Sequence, residues 1–432
     1  MSPVKEMSSP LDRDTTPGGD SAAAEAARPR ATNFARGTNQ NGVRLYNERL
    51  VLSLIRRHGS VPRAEIARQT GLSAQTIAVI MRQLESDGLV LKQGLQRGRI
   101  GQPSVPFSLN PEGAFSLGLR IGRLASDLVL IDFLGSVRRI VHIGGSYPTP
   151  DGILAFATNG IAELTGNLTP EQARRIAGLG IAAPFELWNW EAQIGAPREV
   201  LDQWRTFDLK DSIQRISPWP IYFCNDATAA CAAELVFGNP AQHPDFLYLF
   251  VGSFIGGGVV INGHLYAGPT GNAGALGSMP IATRDDQGQT ATHQLIRSAS
   301  LYLLANRLIE AGRDASVLWR SPDDWGELGA PLDAWIDEAS ASIAFAIVAA
   351  TSLVDFPAAI FDGAFPTDVR RRMVARVNAR LGEFDRQGLS PVTVIEGTIG
   401  SGARAIGGAC LPLLANFARD REVLFKEAAP AG

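Results

Sequence analysis

Two short stretches of the sequence carry side chains whose types and spacing suit contact with other molecules. Ser73, Gln75 and Thr76 place small polar groups on the leading turn of a predicted helix. There Gln75 can make two hydrogen bonds to adenine, and Thr76 can reach a base or a phosphate. Asn225 and Asp226 follow a predicted strand, where a carboxylate is suited to contact a hydroxyl. We therefore expect a nucleic-acid contact at the first stretch and a polar ligand at the second.

Basic side chains extend the predicted nucleic-acid contact. Arg82 lies further along the same predicted helix and is better placed for a phosphate than for a base edge. Arg97 and Arg99 lie in the glycine-rich segment that follows, and they could enter a narrow minor groove, where the negative potential is enhanced. These three arginines and the polar turn form the predicted DNA-binding surface.

Three helices must position this surface. Apolar residues at helical spacing predict helices over about 43–58, 63–70 and 74–87. Between the second and the third, Gly71 permits the positive φ that ends a helix, and Ser73 can cap the next one. A short turn between two helices is the arrangement that lets the second helix enter the major groove.

A pair of strands follows the helices. Apolar stretches at 89–91 and 105–109 flank the basic, glycine-rich turn, and this pattern predicts a wing. The alternative is a small helical domain used for protein contact. Residues 41–110 hold ten basic and four acidic residues, and this net charge of +6 favours DNA. We therefore predict a winged helix-turn-helix, mainly α, over 41–110.

Charge is distributed unevenly along the rest of the chain. Residues 1–40 hold five charges of each sign and few large apolar side chains, so they are predicted to be a disordered tail. Residues 111–432 hold 25 basic and 34 acidic residues, a net charge of −9. A basic module attached to an acidic body indicates that the module alone meets a polyanion.

The body alternates strands with helices in two blocks, with a boundary near residue 237, which predicts an α/β domain over 111–432. The glycine-rich run 252–258 lies between two strand-like segments. Its N–H groups could face a phosphate, or its glycines could simply make a hairpin. The apolar run 343–354 is too short to span a bilayer, so it is predicted to be a buried helix.

Composition argues against several classes of protein. Cys224, Cys231 and Cys410 form no CxxC pair and are expected to be buried thiols in a reducing cytosol. The five histidines do not cluster, and no secretory signal is visible. We expect a cytoplasmic protein with no metal, no cofactor and no membrane partner.

Five stretches together resemble the ROK family, which contains repressors and sugar kinases. In chain order they are GRIGQPSVPFSLN, SLGLRIGRLASDLVLIDFLGSV, YFCNDATAACAAELVFG, LFVGSFIGGGVVINGHLYAGPTGNAGALGSMPI and GTIGSGARAIGGACLPL. The resemblance covers about 43–417. It implies that the body is a two-lobed, actin-like and hexokinase-like α/β fold with a cleft between the lobes.

The resemblance also shows departures at the kinase positions. Family kinases carry a metal-organising acid followed by Gly-Gly-Thr, and the matching stretch here holds Arg120 and Arg123. The family's sugar-contacting Glu and His, of which the His also ligates zinc, are matched by Ala275 and Ser278, and the cysteine-rich zinc loop is missing. Because phosphoryl transfer depends on metal-organised positioning, we expect no catalytic residue and no zinc.

Asn225 and Asp226 match family residues that remain unchanged. In the family kinases the Asp takes the proton from the sugar hydroxyl, and the Asn helps to hold the sugar. The alternative is that Asp226 caps a helix beginning near Ala227, a role that suits an aspartate. The two roles are compatible, and we expect both residues to bind the ligand.

These observations predict a transcription regulator, in particular a repressor of carbohydrate-related genes, with a non-catalytic kinase-like domain. Its expected partners are a double-stranded DNA operator and a sugar or sugar-phosphate effector, and it is expected to form a homodimer or a dimer of dimers. Two alternatives stay open. One is a sugar kinase with an appended DNA module, and the other is a ligand-free regulator controlled by a protein partner.

Overall fold

A computed structural model describes residues 40–94, 104–144, 147–185, 187–189, 197–238, 243–284 and 290–419. The predicted tail lies outside these residues except for Gln40, which begins the first helix. Arg97 and Arg99 of the predicted wing also lie outside them.

The N-terminal module contains three helices and three short strands, which are α1 Gln40–His58, β1 Ser60–Pro62, α2 Arg63–Thr70, α3 Ala74–Ser86, β2 Val90–Lys92 and β3 Pro106–Leu109. Strand β3 pairs antiparallel with both β1 and β2, so the two predicted wing strands are confirmed. The sequence did not predict β1, because three residues that include a proline show no alternation. Gly71 has a φ of 71°, and Ser73 caps α3, as predicted.

The body consists of helices and strands in alternation. In chain order they are β4 Phe115–Ile121, β5 Ala125–Asp132, β6 Val137–Gly144, α4 Pro150–Thr165, α5 Pro170–Arg174, β7 Ile176–Ala183, α6 Arg198–Thr206, α7 Leu209–Ile216, β8 Ile221–Asn225, α8 Asp226–Phe237, β9 Phe246–Val251, β10 Ile255–Ile261, β11 His264–Tyr266, β12 Pro280–Arg284, β13 Thr290–Gln294, α9 Ile296–Ala299, α10 Leu301–Glu310, α11 Val317–Arg320, α12 Ala330–Val354, β14 Ala358–Gly363, α13 Thr367–Leu381, β15 Thr393–Glu396 and α14 Ala403–Phe417.

Two five-stranded sheets organise the body. The first has the order β6-β5-β4-β7-β8, and the second has the order β11-β10-β9-β14-β15. In each sheet, the first three strands along the chain pair antiparallel with their neighbours. Two later strands then add in parallel beside the first strand of the sheet. The two lobes therefore share one strand order, although the sequence shows no repeat.

Helix α14 returns from the second lobe to the first. It packs against β4, β5, β7 and β8 and along α8. Helix α14 lies very close to β4, since a Cβ added to Gly118 on β4 would be 2.7 Å from the carbonyl oxygen of Ala405. The first lobe is thus built from two separate stretches of chain, and the single boundary near residue 237 stays a proposal.

The apolar run at 343–354 belongs to α12, which has 25 residues. By length and composition alone this helix could cross a membrane, but 56% of its most apolar window is buried. Ile343, Ala346 and Ile347 lie in the apolar core of the second lobe. We conclude that α12 is a core helix, and the prediction of a buried helix is confirmed for 343–351, whereas Leu353 and Val354 are exposed.

Candidate DNA-binding surface and interlobe cleft

The leading turn of α3 carries three of the predicted DNA-contacting residues. Ser73 Oγ accepts a hydrogen bond from the Thr76 N–H at 3.1 Å and lies 2.8 Å from Thr76 Oγ1. Gln75 is exposed. Ser73 therefore stabilises the start of the helix, and Gln75 has the clearest access to an outside partner.

One further residue on α3 was missed by sequence reasoning. Val79 is 54% exposed, an unusual position for a valine in a helix whose opposite face holds Ile77 and Ile80 in the core. Gln75, Val79 and Arg82 follow the i, i+4, i+7 spacing of one helix face. An apolar side chain there suits contact with the thymine methyl group.

Asn225 and Asp226 lie in a cleft of about 670 Å³, whose lining comes from both lobes. Asn225 Oδ1 accepts a hydrogen bond from the Ala227 N–H at 3.0 Å. Asn225 is therefore the cap of α8, and the alternative that Asp226 caps a helix from Ala227 is wrong. The helix begins one residue earlier than expected, which leaves Asp226 in its first turn.

Asp226 is held by an arginine from a distant part of the chain. Arg404, the second residue of α14, donates from Nη1 to Asp226 Oδ2 at 3.2 Å, and its guanidinium lies 5.0 Å from the Phe250 ring centroid. Burial lowers the pKa of Arg404 to about 10. Sequence reasoning missed Arg404, and the available signal was a single arginine among the small residues that open α14.

The two arginines at the altered kinase positions have different surroundings. Arg120 forms an ion pair with Asp127, its neighbour across β4 and β5, and His142 Nδ1 lies 2.7 Å from the same carboxylate. Arg123 lines the cleft, with its guanidinium carbon 3.0 Å from the Phe254 ring centroid. The turn that would face phosphates in a family kinase therefore contributes a buried cation.

The glycine-rich run forms the turn after β9 and the first half of β10. Gly256, Gly257 and Gly258 lie within β10, which pairs antiparallel with β9, so the run forms a hairpin, as one of the two interpretations predicted. A Cβ on Gly256 would lie 2.7 Å from Ala227 Cβ, so the close packing of α8 requires glycine there. Ala275 and Ser278 do line the cleft, as the resemblance implies.

Neither metal ligands nor reactive thiols are found at the cleft among the residues that the structure describes. No group of three or more His, Cys, Asp or Glu in those ranges is arranged to hold a metal ion. Cys224 is next to Asn225, and burial raises the pKa of its thiol to about 12. Burial also raises the pKa of Cys231 and of Cys410, so all three cysteines stay protonated at neutral pH.

The DNA-binding module packs directly on the body. Ile55 of α1, Phe133 after β5 and Leu413 of α14 belong to one apolar cluster. Arg56 of α1 donates from Nη1 to the Phe133 carbonyl oxygen at 2.6 Å. Its guanidinium lies 4.8 Å from the Phe133 ring centroid and 5.5 Å from that of Phe237. Burial lowers the pKa of Arg56 to about 10.

Helices α8 and α14 each run from the cleft to this contact. Helix α8 begins with Asp226 in the cleft and ends with Phe237 beside Arg56. Helix α14 carries Arg404 at its start and ends with Phe417, whose ring centroid is 4.9 Å from that of Phe133. The two helices pack along each other. A packed pair of helices therefore joins the cleft to the module.

Comparison with known proteins identifies a winged helix-turn-helix DNA-binding domain over residues 44–90 and a ROK family domain over 116–293. The xylose repressor of Bacillus subtilis is 28% identical over 247 residues, which are 56% of this chain and 62% of that protein. The chain thus matches less than two thirds of that relative's length.

Two solved structures resemble this one. A ROK family transcriptional regulator, a homologue of the E. coli MLC protein, aligns with a TM-score of 0.60 and 19% identity over 87% of this chain and 97% of that chain. A ROK family glucokinase from Streptomyces griseus, in complex with glucose and AMPPNP, aligns with a TM-score of 0.53 and 20% identity over 69% and 99%. These similarities confirm the predicted fold class. The chain contains a ROK family domain, with a winged helix-turn-helix DNA-binding domain ahead of it.

Proposed function

We propose that this protein is a DNA-binding transcription repressor that binds a sugar-derived effector in its cleft and does not transfer phosphate. The observation that carries the proposal is the pair of helices, α8 and α14, which joins the cleft to the DNA-binding module. The similarity to a xylose repressor supports repression and a sugar effector. As a regulator of DNA it acts in the cytoplasm.

Three contacts argue against kinase chemistry. Asp226, which would be the general base, already accepts a hydrogen bond from Arg404. Arg120 is paired with Asp127, and Arg123, in the turn between β4 and β5, places its guanidinium over the Phe254 ring at the cleft. Cations at these positions would repel a magnesium ion, and phosphoryl transfer depends on such an ion. The cleft is therefore suited to binding without reaction.

Effector binding would act on the starts of α8 and α14. A ligand that contacts Asp226 and Arg404 favours one arrangement of the two lobes only if it binds that arrangement more tightly. At the far ends of the helices, Phe237 lies beside Arg56 of α1, and Phe417 packs on Phe133, whose carbonyl oxygen accepts from Arg56. The preferred arrangement would therefore change the position of the module. In a homodimer or a dimer of dimers, this would change the spacing of the two recognition helices on DNA.

The test begins with the purified full-length protein. Selection from a random duplex library should yield an operator with two-fold symmetry, and light scattering should give a homodimer or a dimer of dimers. Neutral and acidic sugars are then titrated against the protein–operator complex, and at least one should change the operator affinity about ten-fold. Recovery of no preferred duplex, or sugar-dependent conversion of ATP to ADP, would contradict the proposal.

A further inference from the structure

The charge of the cleft is positive. Among the described residues that line it, Arg123, Arg297 and Arg404 are cationic and Asp226 alone is anionic. These four side chains leave an excess of two positive charges, whichever cation pairs with the carboxylate. A neutral sugar offers no charge to balance this excess.

Two of the cations are buried side by side. Arg123 is 8% exposed and Arg404 is 9% exposed. Burial lowers the pKa of both groups; for Arg123, the charge of Asp226 opposes this shift and the charge of Arg404 adds to it. Asp226 supplies one negative charge beside these two buried cations. Burying like charges together is unfavourable, so a ligand anion would offset the remaining positive charge.

The buried pair is also positioned for a ligand. Arg404 Nε is buried and has no hydrogen-bond partner among the described residues. Arg404 lies against the loop after β9, where a Cβ on Gly252 would be 3.1 Å from its Nη1. Arg297 is exposed and lines the same cleft. The volume of about 670 Å³ is within the range of small-molecule sites and accommodates a monosaccharide derivative.

We infer that the effector is a monosaccharide derivative with an acidic group, a carboxylate or a phosphate, bound by Arg123 and Arg404. Arginine suits both groups because its planar fork can donate two parallel hydrogen bonds. Arg297 adds attraction from the exposed side. That the bound acid acts as an effector rests on the proposed function, whereas the charge preference of the cleft is independent of that function.

Calorimetric titration of the full-length protein tests this inference with matched probes at constant ionic strength. The probes are glucose, galactose and xylose, the uronates and 6-phosphates of the two hexoses, the 5-phosphate of xylose, and inorganic phosphate. At least one acid should bind ten-fold or more tightly than its neutral parent. A preference for uronates identifies a carboxylate ligand, and a preference for sugar phosphates identifies a phosphate ligand. Equal binding of inorganic phosphate and the best acid would indicate an adventitious ion only and overturn the inference.

Substitutions of the cleft arginines then test which side chains bind the acidic group of the ligand. Arg123→Gln and Arg404→Gln should each reduce its affinity ten-fold or more, and Arg297→Gln, at an exposed position, should reduce it less without disturbing the fold. Arg205→Gln is the matched control, since Arg205 pairs with Asp202 outside the cleft. Circular dichroism and thermal unfolding identify any variant that fails to fold. Three results would each overturn the inference. The neutral parents could bind as well as the acids, or no acid could bind at all. The third result is unchanged acid affinity in folded Arg123→Gln and Arg297→Gln.

The outcomes also separate this inference from the proposed function. If an acid binds through these arginines but never changes the operator affinity, the inference stands and the proposed function fails. If only a neutral sugar binds and changes the operator affinity, the proposed function stands and the inference fails.

Discussion

Single residues set the chemistry of the cleft. At the position of a kinase acid the chain has Arg120, and the structure supplies Asp127 on the adjacent strand as its partner. At the position of a kinase glycine it has Arg123, whose guanidinium covers the Phe254 ring. Under the proposed function, these two cations stand where the resemblance implies a metal-organising acid and open space. The fold would then serve binding in place of phosphoryl transfer.

Some of these residues could be predicted from the sequence, and others could not. Arg120 and Arg123 stand out because they fall inside a recognisable stretch. Arg404 does not, because its partner Asp226 is 178 positions away and their contact exists only after the lobes fold. Val79 was missed for a related reason, since a valine at helical spacing is usually a core residue.

Gln75→Ala should relax base preference at one position of the operator. The loss of a two-bond contact to a base costs about 1–3 kcal/mol of discrimination there. Competition binding with single-base operator variants measures this preference. Gln83→Ala is the control, because Gln83 lies near the end of α3 and donates to Asp87. Full retention of discrimination at every position in Gln75→Ala would show that this side chain does not contact a base.

Asp127→Asn should destabilise the first lobe near neutral pH. Burial raises the pKa of Asp127, but Arg120 and His142 outweigh it, and the net pKa lies below its ordinary value. A carboxyl with a lowered pKa stabilises the fold above its ordinary pKa, and this contribution is lost as the pH falls through the folded-state pKa. Breaking the largely buried pair should cost about 3 kcal/mol at pH 7.

Urea unfolding of both proteins at several pH values checks this expectation. The difference in unfolding free energy should be large at neutral pH and should narrow as the pH is lowered below the ordinary pKa of Asp, about 3.9, and through the lower folded-state pKa. Asp202→Asn, which breaks an exposed pair with Arg205, should change stability little. A gap between wild type and Asp127→Asn that stays constant with pH would rule out this account of the carboxylate.

Elements were predictable where their signals are local. The bounds of α2 agree with the predicted 63–70, because Pro62, Gly71 and Ser73 mark the ends of the helices there. The sequence left open whether the glycines of β10 form a phosphate loop or a hairpin, because Gly256 is required by the approach of α8 and not by local conformation. Tertiary packing decides such residues, and spacing along the sequence cannot show it.

The wing should contribute mainly non-specific affinity. Replacing Arg97 and Arg99 together by Ala should weaken DNA binding and flatten its dependence on salt. Each lost phosphate contact removes about 0.9 from the slope of log affinity against log salt. Anisotropy titrations at several salt concentrations measure the slope. Arg215→Ala, an exposed arginine of the ROK domain, is the control. A double variant with the wild-type slope would exclude a wing contact.

Helices α8 and α14 should transmit the effector signal through Arg56. Arg56→Met keeps an unbranched stem but removes the donor to the Phe133 carbonyl and the cation beside Phe237. We expect the variant to bind the operator, with the effector-induced change in affinity reduced to less than two-fold. Arg44→Met, an exposed position on the same helix, should respond like wild type. A normal effector response in Arg56→Met would mean that the signal takes another route.

The whole molecule has an architecture that the sequence only partly predicts. The α/β class and the N-terminal module follow from patterning, whereas the shared strand order of the two lobes has no counterpart in an internal repeat. The return of α14 to the first lobe is equally hidden, because helical periodicity does not say which sheet a helix covers. The return of α14 to the first lobe places this helix against both the cleft and the DNA-binding module, so α14 is central to the proposed regulation.

The most direct test of this account measures whether the cleft and the DNA-binding module are energetically coupled. Operator affinity is measured with the full-length protein at increasing concentrations of the acidic sugar that binds best, and sugar affinity is measured with and without saturating operator. We predict that each ligand changes the affinity of the other by the same factor, about ten-fold or more, as linkage requires. Operator affinity that stays constant while the cleft becomes saturated would contradict the account.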